Sequence, residues 1–397
     1  MRVCDTVRMG SDIGVACYRV LDARRPLFYL CFMFAPDSDA VFSGSRRGRG
    51  AGLNMPGRFE PYARTGLDDG WAAEPAPQLR TEVREERTTR ALARNASPDI
   101  GFDRSVNPYR GCEHGCIYCY ARPGHGYLGL SPGLDFETRL VARPGAPAAL
   151  ARELSARGYR PAPVMLGAVT DPYQPVERDR GITRALLEVL RDFRHPVIVT
   201  TRGTLVERDV DILSEMAAQG LAAVGISLTT LEAGLARAME PRAPAPARRL
   251  GVIRRLSEAG VPVRVMASPV IPALTEHELE AILAAGREGG AVAASTILLR
   301  LPQEVAPLFR DWLERHVPGR AAAVLGRLRA MRGGRDNDPR FGTRMTGEGP
   351  AADLLRQRFA LACRRMGLAR GMPELRCDLF RVPPQPGAQL ELFGPAG

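Results

Sequence analysis

The sequence predicts an α/β fold in which parallel strands alternate with amphipathic helices, and two patterns predict it. Short apolar, β-rich runs recur at residues 163–169, 196–201, 221–228, 261–267 and 296–301, and runs this short and this apolar read as strands buried on both faces. Between them lie helical patterns. Residues 181–193 place Ile182, Leu186, Leu187 and Leu190 on one face, and residues 206–218 do the same with Val210, Leu213 and Ala217. Helices at 248–259 and 276–288 run into Gly260 and into Gly289-Gly290, the expected glycine stops. A short first strand at 103–106 brings the tally to six β/α units. Such alternation closes into a parallel barrel or opens as a doubly wound sheet, and in both cases ligands gather at the carboxyl ends of the strands.

The loop after the first strand carries the chemistry. Gly111 to Tyr120 reads Gly-Cys-Glu-His-Gly-Cys-Ile-Tyr-Cys-Tyr, so Cys112, Cys116 and Cys119 form a C-x3-C-x2-C motif. Three thiolates on one tight loop can hold three irons of a [4Fe-4S] cube and leave the fourth iron without a protein ligand. A small molecule can chelate that open iron. When it is S-adenosylmethionine, an electron from the cluster cleaves the sulfonium and releases a 5′-deoxyadenosyl radical, chemistry that belongs to the cofactor while the protein orients and shields it. Tyr118, just before the third cysteine, is an aromatic placed to pack near an adenine.

Zinc is the competing metal. It needs four ligands, and His114 or His125 would complete a Cys3His set, although zinc knuckles pair C-x2-C with a second close pair. On that reading the chain is a zinc-stabilised nucleic-acid-binding protein without catalysis. A disulfide fits less well, because three close cysteines leave one unpaired. Cys4, Cys17, Cys31, Cys363 and Cys377 scatter without a second metal pattern, as expected of mostly inert thiols in a reducing cytoplasm.

At 397 residues the chain has room for one large α/β domain with additions at both ends. Its formal charge is +11, and all 55 basic residues are arginine. The absence of lysine excludes Schiff-base enzymes and Walker-type phosphate loops. Arginine forks bind phosphate bidentately, so a phosphate-bearing or nucleic-acid partner fits the charge. Residues 1–45 read as an atypical, disordered extension, with Met33 or Met55 as later candidate starts. Their apolar run at 26–35 is shorter than the roughly 20 residues that cross a bilayer, and no cleavage signal follows it, so no membrane association is expected. Residues 46–100 form an Arg/Gly/Pro-rich extended arm, 101–318 the core, and 319–397 a C-terminal helical extension. Within that extension, the arginine- and glycine-rich run 329–345 is expected to close the open side of the sheet, a helix follows at 351–366, and 383–397 form a poorly ordered tail.

The cysteine motif after a strand, followed by repeated β/α units, resembles the radical S-adenosylmethionine superfamily. Asn107-Pro108-Tyr109-Arg110-Gly111-Cys112 through Tyr120-Ala121-Arg122, with Thr170-Asp171-Pro172-Tyr173-Gln174-Pro175-Val176-Glu177, is similar to its branch related to spore photoproduct lyase, often described as DNA-repair-lyase-like. The resemblance implies a partial (β/α)6 TIM-type barrel, a [4Fe-4S] cluster on Cys112, Cys116 and Cys119, S-adenosylmethionine, and a reductant such as flavodoxin or ferredoxin. Carried over by position, it puts Thr170 and Asp171 where the methionine amine is commonly met by Gly-Gly-Glu. Arg202 stands in place of a lysine near the methionine carboxylate, which a guanidinium matches well. Ser227 and Thr229 fall near the ribose and Ser268 near the adenine. Tyr120 and Tyr173 are the candidate radical relays. The lyase returns a hydrogen atom from a cysteine near the end of strand two; Gly167-Ala168-Val169-Thr170 contains none, so thymine photoproduct repair by that route is not expected. The substrate is left open, with a nucleic-acid-derived molecule allowed.

Overall fold

The computed structural model describes residues 47–60 and 79–384. The expected extension at 1–45, its apolar run, and the tail beyond residue 384 lie outside the described residues. In chain order the strands are β1 (Glu82–Glu85), β2 (Leu92–Arg94), β3 (Arg104–Val106), β4 (Tyr109–Arg110), β5 (Arg139–Ala142), β6 (Val164–Leu166), β7 (Val197–Thr201), β8 (Ala222–Ser227), β9 (Val263–Val270) and β10 (Ala293–Leu298). A seven-stranded sheet runs β10-β9-β8-β7-β6-β3-β2. Every neighbouring pair from β3 to β10 is parallel, and only β2 is antiparallel, at the edge. The six parallel strands are the six units of the sequence pattern, open rather than closed: a partial TIM-type barrel.

Burial alternates along the strands, and the alternation separates two faces. In β7, Val197, Val199 and Thr201 are buried while Ile198 and Thr200 keep some exposure; in β9, Val263, Val265 and Ala267 are buried while Arg264 and Met266 are not fully so. The buried set packs against the surrounding helices: a Cβ placed on Gly286, in the helix Leu279–Glu288, would meet Val265 at 2.7 Å. Arg264, Met266 and Thr200 therefore turn to the opposite, concave face. That face is the hollow of the half-barrel.

Three elements absent from the sequence pattern complete the layer of helices: Ala146–Leu154, Ala233–Met239 and Val305–His316. The last parallel strand starts three residues earlier than its predicted 296, because Ala293, Ala294 and Ser295, weak strand formers, pair with Arg264, Val265 and Met266 of β9. The helices predicted at 206–218 and 276–288 each begin with a 3₁₀ turn, Thr204–Asp209 and Glu276–Glu278. A second, three-stranded sheet, β1-β5-β4, braces the back of the cysteine loop.

The open side is spanned by residues from both ends of the fold. Leu298 of β10 donates its amide to Met345 O (2.9 Å). Arg344, next to Met345, grips Asp99 in the β2–β3 connection with both Nε (2.7 Å) and Nη2 (2.6 Å). The two sheet edges are thus tied by one bidentate ion pair.

Candidate cluster and cofactor site

The cysteine loop is built before any ligand is considered. It follows β3 and β4 at the carboxyl ends of the parallel strands, and its amides are tied in place: Cys112 N to Phe136 O (2.9 Å), Ile117 N to Met239 O (3.0 Å) and Cys119 N to Cys116 O (3.2 Å). Gly115, between the first two cysteines, sits at φ +67°, a conformation only glycine adopts freely; a Cβ there would strike Glu137 Oε2 at 2.7 Å. Beneath the loop lies Arg122, wholly buried, with five contacts: Nε to Cys116 O (3.0 Å), Nη1 to Pro132 O (3.2 Å) and Gly133 O (3.0 Å), Nη2 to Gly115 O (3.2 Å) and Glu137 Oε1 (2.5 Å). Glu137 also takes the amides of Gly50 and Ala51 at 2.9 Å each, which pins the N-terminal arm under the loop. Gln174 spans the other side, accepting from Glu113 N (2.8 Å) and donating to Gly111 O (3.1 Å).

All three cysteines are free thiols; Cys112 and Cys116 are buried and Cys119 is partly exposed. Burial pushes the Cys112 thiol well above its ordinary pKa and that of Cys116 up to about 12. Three thiols on one preformed loop, one facing outward, are a donor set suited to iron–sulfur ligation. Zinc fares worse. His125 donates Nε2–H to Arg139 O (3.0 Å) and packs edge-on to Phe136, while His114 Nδ1 lies 3.3 Å from Asp171 Oδ2. Both histidines thus have partners other than the cysteines.

Around the loop the strand ends bring a second group together. Glu240, 1% exposed, accepts hydrogen bonds from Tyr118 Oη, Thr229 Oγ1 (2.9 Å) and Arg202 Nη1 (2.8 Å) on one oxygen and from Arg249 Nη2 on the other. Burial raises the Glu240 pKa, but the Arg249 and Arg202 guanidiniums outweigh it and hold the carboxyl at about 2. Arg202 Nη1 also donates to Tyr118 Oη (2.7 Å), and its guanidinium lies 5.7 Å from the Tyr118 ring centre. Ser227 Oγ donates to Ser268 O at 3.0 Å, and Thr229 Oγ1 lies 3.2 Å from the same oxygen. Five of the expected residues, Tyr118, Arg202, Ser227, Thr229 and Ser268, therefore form one connected cluster.

Thr170 and Asp171 sit beside it but face inward. Thr170 Oγ1 donates to Tyr109 O (2.9 Å). Asp171 takes Tyr173 N (2.9 Å) and Thr201 Oγ1 (2.6 Å) on Oδ1, and Arg202 N (2.8 Å) on Oδ2. Burial works against its charge; His114, Thr201 and the Arg202 amide overcome that and keep it at about 2. The two candidate relays part company. Tyr120 is half exposed at the mouth, its hydroxyl donating to Ala168 O and its ring 5.8 Å from the Arg300 guanidinium. Tyr173 is buried with its hydroxyl on Asp209 Oδ2 (3.0 Å), so the structure does not bring that hydroxyl to the cysteines. Glu240 and Glu137 went unread in the sequence: each is a lone acid outside any motif, and only tertiary packing surrounds it with arginines.

This geometry, a thiol loop at the mouth of a parallel half-barrel, defines a class, and comparison with known proteins bears it out. Residues 106–285 match the family model of the Radical SAM superfamily. An uncharacterized protein of Mycobacterium tuberculosis is 36% identical over 221 residues, covering 55% of this chain and 65% of its own length. One from Methanocaldococcus jannaschii is 28% identical over 173 residues, 44% of this chain and 62% of that one. The chain thus spans just under two thirds of these relatives. Among solved structures, a mutant of spore photoproduct lyase superposes with a TM-score of 0.52 at 14% identity, covering 72% of this chain and 81% of that one. The same lyase complexed with dinucleoside spore photoproduct gives 0.50 at 14% identity, with 72% and 80% covered. These likenesses establish the fold. No helix among the described residues is long and apolar enough to cross a membrane.

Proposed function

We propose that the chain is a radical S-adenosylmethionine enzyme in which Cys112, Cys116 and Cys119 hold a [4Fe-4S] cluster. The observation that carries this reading is the thiol loop itself, clamped by Arg122, Glu137 and Gln174 at the mouth of the half-barrel. When bound, cluster and S-adenosylmethionine supply reductive cleavage of the sulfonium and a 5′-deoxyadenosyl radical that abstracts hydrogen from a substrate.

The chain's own residues bind, orient and shield. Arg202 spends Nη1 on Glu240 and Tyr118, which leaves the rest of its fork for the methionine carboxylate. Glu240 fixes Tyr118 and Thr229 from below, so the tyrosine face toward the adenosine is held by hydrogen bonds rather than by packing alone. Ser227, Thr229 and Ser268 line the ribose and adenine side. Thr170 and Asp171 are positioning residues: their polar atoms tie the β6 loop to Tyr109, Thr201 and Arg202. Tyr120, at the mouth, is the candidate relay; Tyr173 serves as an anchor.

The electron comes from a carrier such as flavodoxin or ferredoxin. A cavity of about 750 Å³, lined in part by Arg47, Arg49, Arg237, Arg242 and His316, borders the cysteine loop, with Arg242 N donating to His114 O (3.4 Å). Its positive charge suits an acidic protein. The test is anaerobic reconstitution with iron and sulfide, followed by dithionite and S-adenosylmethionine. About four irons per chain and release of 5′-deoxyadenosine are expected; one zinc, no sulfide and no 5′-deoxyadenosine would instead make the chain a zinc-stabilised binding protein.

A further inference from the structure

The hollow of the half-barrel holds a charge that the proposed chemistry does not use. Strands β6 to β10 contain no acidic residue, and Arg264 on β9 is their one charged residue. Its neighbours on the concave face are Met266 and Thr200, over Gly225 of β8. A Cβ on Gly225 would come within 2.7 Å of Met266 Sδ, so the glycine makes room for the methionine, and Arg264 Nη2 and Thr200 Oγ1 lie in ordinary contact beside it at 3.5 Å. The guanidinium reaches Met266 Sδ at 3.9 Å, and its Nε is buried without a partner. Burial alone acts on it, lowering its pKa; among the described residues no carboxylate answers it.

Other buried arginines of this fold behave differently. Arg122, Arg249 and Arg332 are each spent on backbone carbonyls or a carboxylate. An enclosed guanidinium without an acceptor costs stability, so Arg264 is arranged for something other than holding the fold. Ser295 lies in register with Met266 on the same face, and its hydroxyl is likewise buried without a partner. Arg300, at the mouth after β10, makes no ion pair among the described residues, and its Nε is also unpartnered.

We propose that Arg264 is the receptor for an oxyanion on the substrate: the half-barrel admits a molecule bearing a phosphate or carboxylate group, which seats on the Arg264 fork beside Ser295, with Arg300 drawing it in at the mouth. The inference rests on reading the half-barrel as a radical S-adenosylmethionine site and adds the chemical class of what it acts on. Guanidinium forks match either oxyanion, and the hydroxyl beside this one supplies a further donor.

The test uses the full chain, reconstituted anaerobically, with titration calorimetry against inorganic phosphate, thymidine 5′-monophosphate, thymidine and glutarate. The wild type should bind at least one anion more tightly than thymidine. Tighter phosphate or monophosphate binding assigns a phosphate source and tighter glutarate binding a carboxylate source. Arg264→Met should weaken that anion by about tenfold or more, Arg264→Lys by less, while the methionine variant unfolds at the same or a higher temperature. Cluster absorption and S-adenosylmethionine affinity should match the wild type. Unchanged anion affinity in Arg264→Met overturns the proposal, as does lost S-adenosylmethionine affinity, which would make Arg264 a cofactor ligand. A wild type that binds none of the anions also overturns it. Lack of 5′-deoxyadenosine in every protein would sink the radical reading separately, leaving the anion affinities to be judged alone.

Discussion

The Arg122–Glu137 clamp under the cysteine loop and the concave face of the sheet treat polar groups in opposite ways. Under the loop, all three nitrogens of Arg122 are bonded, as are both oxygens of Glu137, to the backbone or to each other. On the concave face, Arg264 Nε and Ser295 Oγ have no hydrogen-bond partner, nor has Arg300 Nε at the mouth. A buried polar network rigidifies when satisfied and costs stability when not. The clamp therefore holds the loop in one shape, whereas the hollow presents donors that a ligand bringing its own acceptors would satisfy.

The comparison can be broken most decisively at the loop. Replacing Cys112, Cys116 or Cys119 by alanine should abolish the cluster's visible absorption and 5′-deoxyadenosine release while leaving far-ultraviolet circular dichroism unchanged; retained turnover would remove the loop from the chemistry. Arg122→Ala takes a donor from the Glu137 carboxylate and from four carbonyls in a dry site, and should cost about 4 kcal/mol in urea unfolding. A loss under 1 kcal/mol would show that the clamp is ornamental.

Glu240→Gln keeps the shape but removes the charge shared by Arg202 and Arg249. About 3 kcal/mol of stability should go, together with a clear weakening of S-adenosylmethionine binding through the freed Tyr118. Stability lost without any change in cofactor affinity would place Glu240 in the scaffold alone.

A smaller effect comes from a buried polar group remote from both regions. His195 is fully buried, its Nδ1–H donating to Pro196 O (3.0 Å) and Nε2 accepting from Tyr159 Oη (2.8 Å), which in turn accepts from Arg104 Nη1 (3.0 Å). Burial holds its pKa down to about 4, against an ordinary 6.5. The unfolded chain thus takes up a proton that the folded one refuses between these values, so this contribution is present above pH 6.5 and is lost as pH falls toward 4, by up to about 3 kcal/mol. His195→Gln should flatten that slope in melts across pH 4–7; an unaltered slope would assign the acid sensitivity elsewhere. Tyr159→Phe, which removes one link of the chain, should cost only about 1 kcal/mol.

Much of this molecule was legible in its residues, for stated reasons. Periodicity placed the helix Ile182–Asp192 within a residue of its ends, because Leu186, Leu187 and Leu190 leave no other face to bury. The strands were legible where branched residues cluster, as in Val197–Thr201, and misplaced where alanine and serine replace them, as in β10. The helix Ala146–Leu154 was hidden by Pro147, which is harmless in a first turn. At the site, spacing revealed the cysteines because three thiols lie within eight residues of chain. Glu240, Arg249 and Arg264 gave no such signal, since their meaning depends on which strands face each other across the sheet.

The Asp99–Arg344 pair gives the half-barrel a seam fastened by the two segments that flank its core in sequence. Width at the mouth is thereby governed from outside the β/α repeat. Shortening the polypeptide to its repeating units alone, from either direction, would unlatch the hollow even with every cysteine still in place.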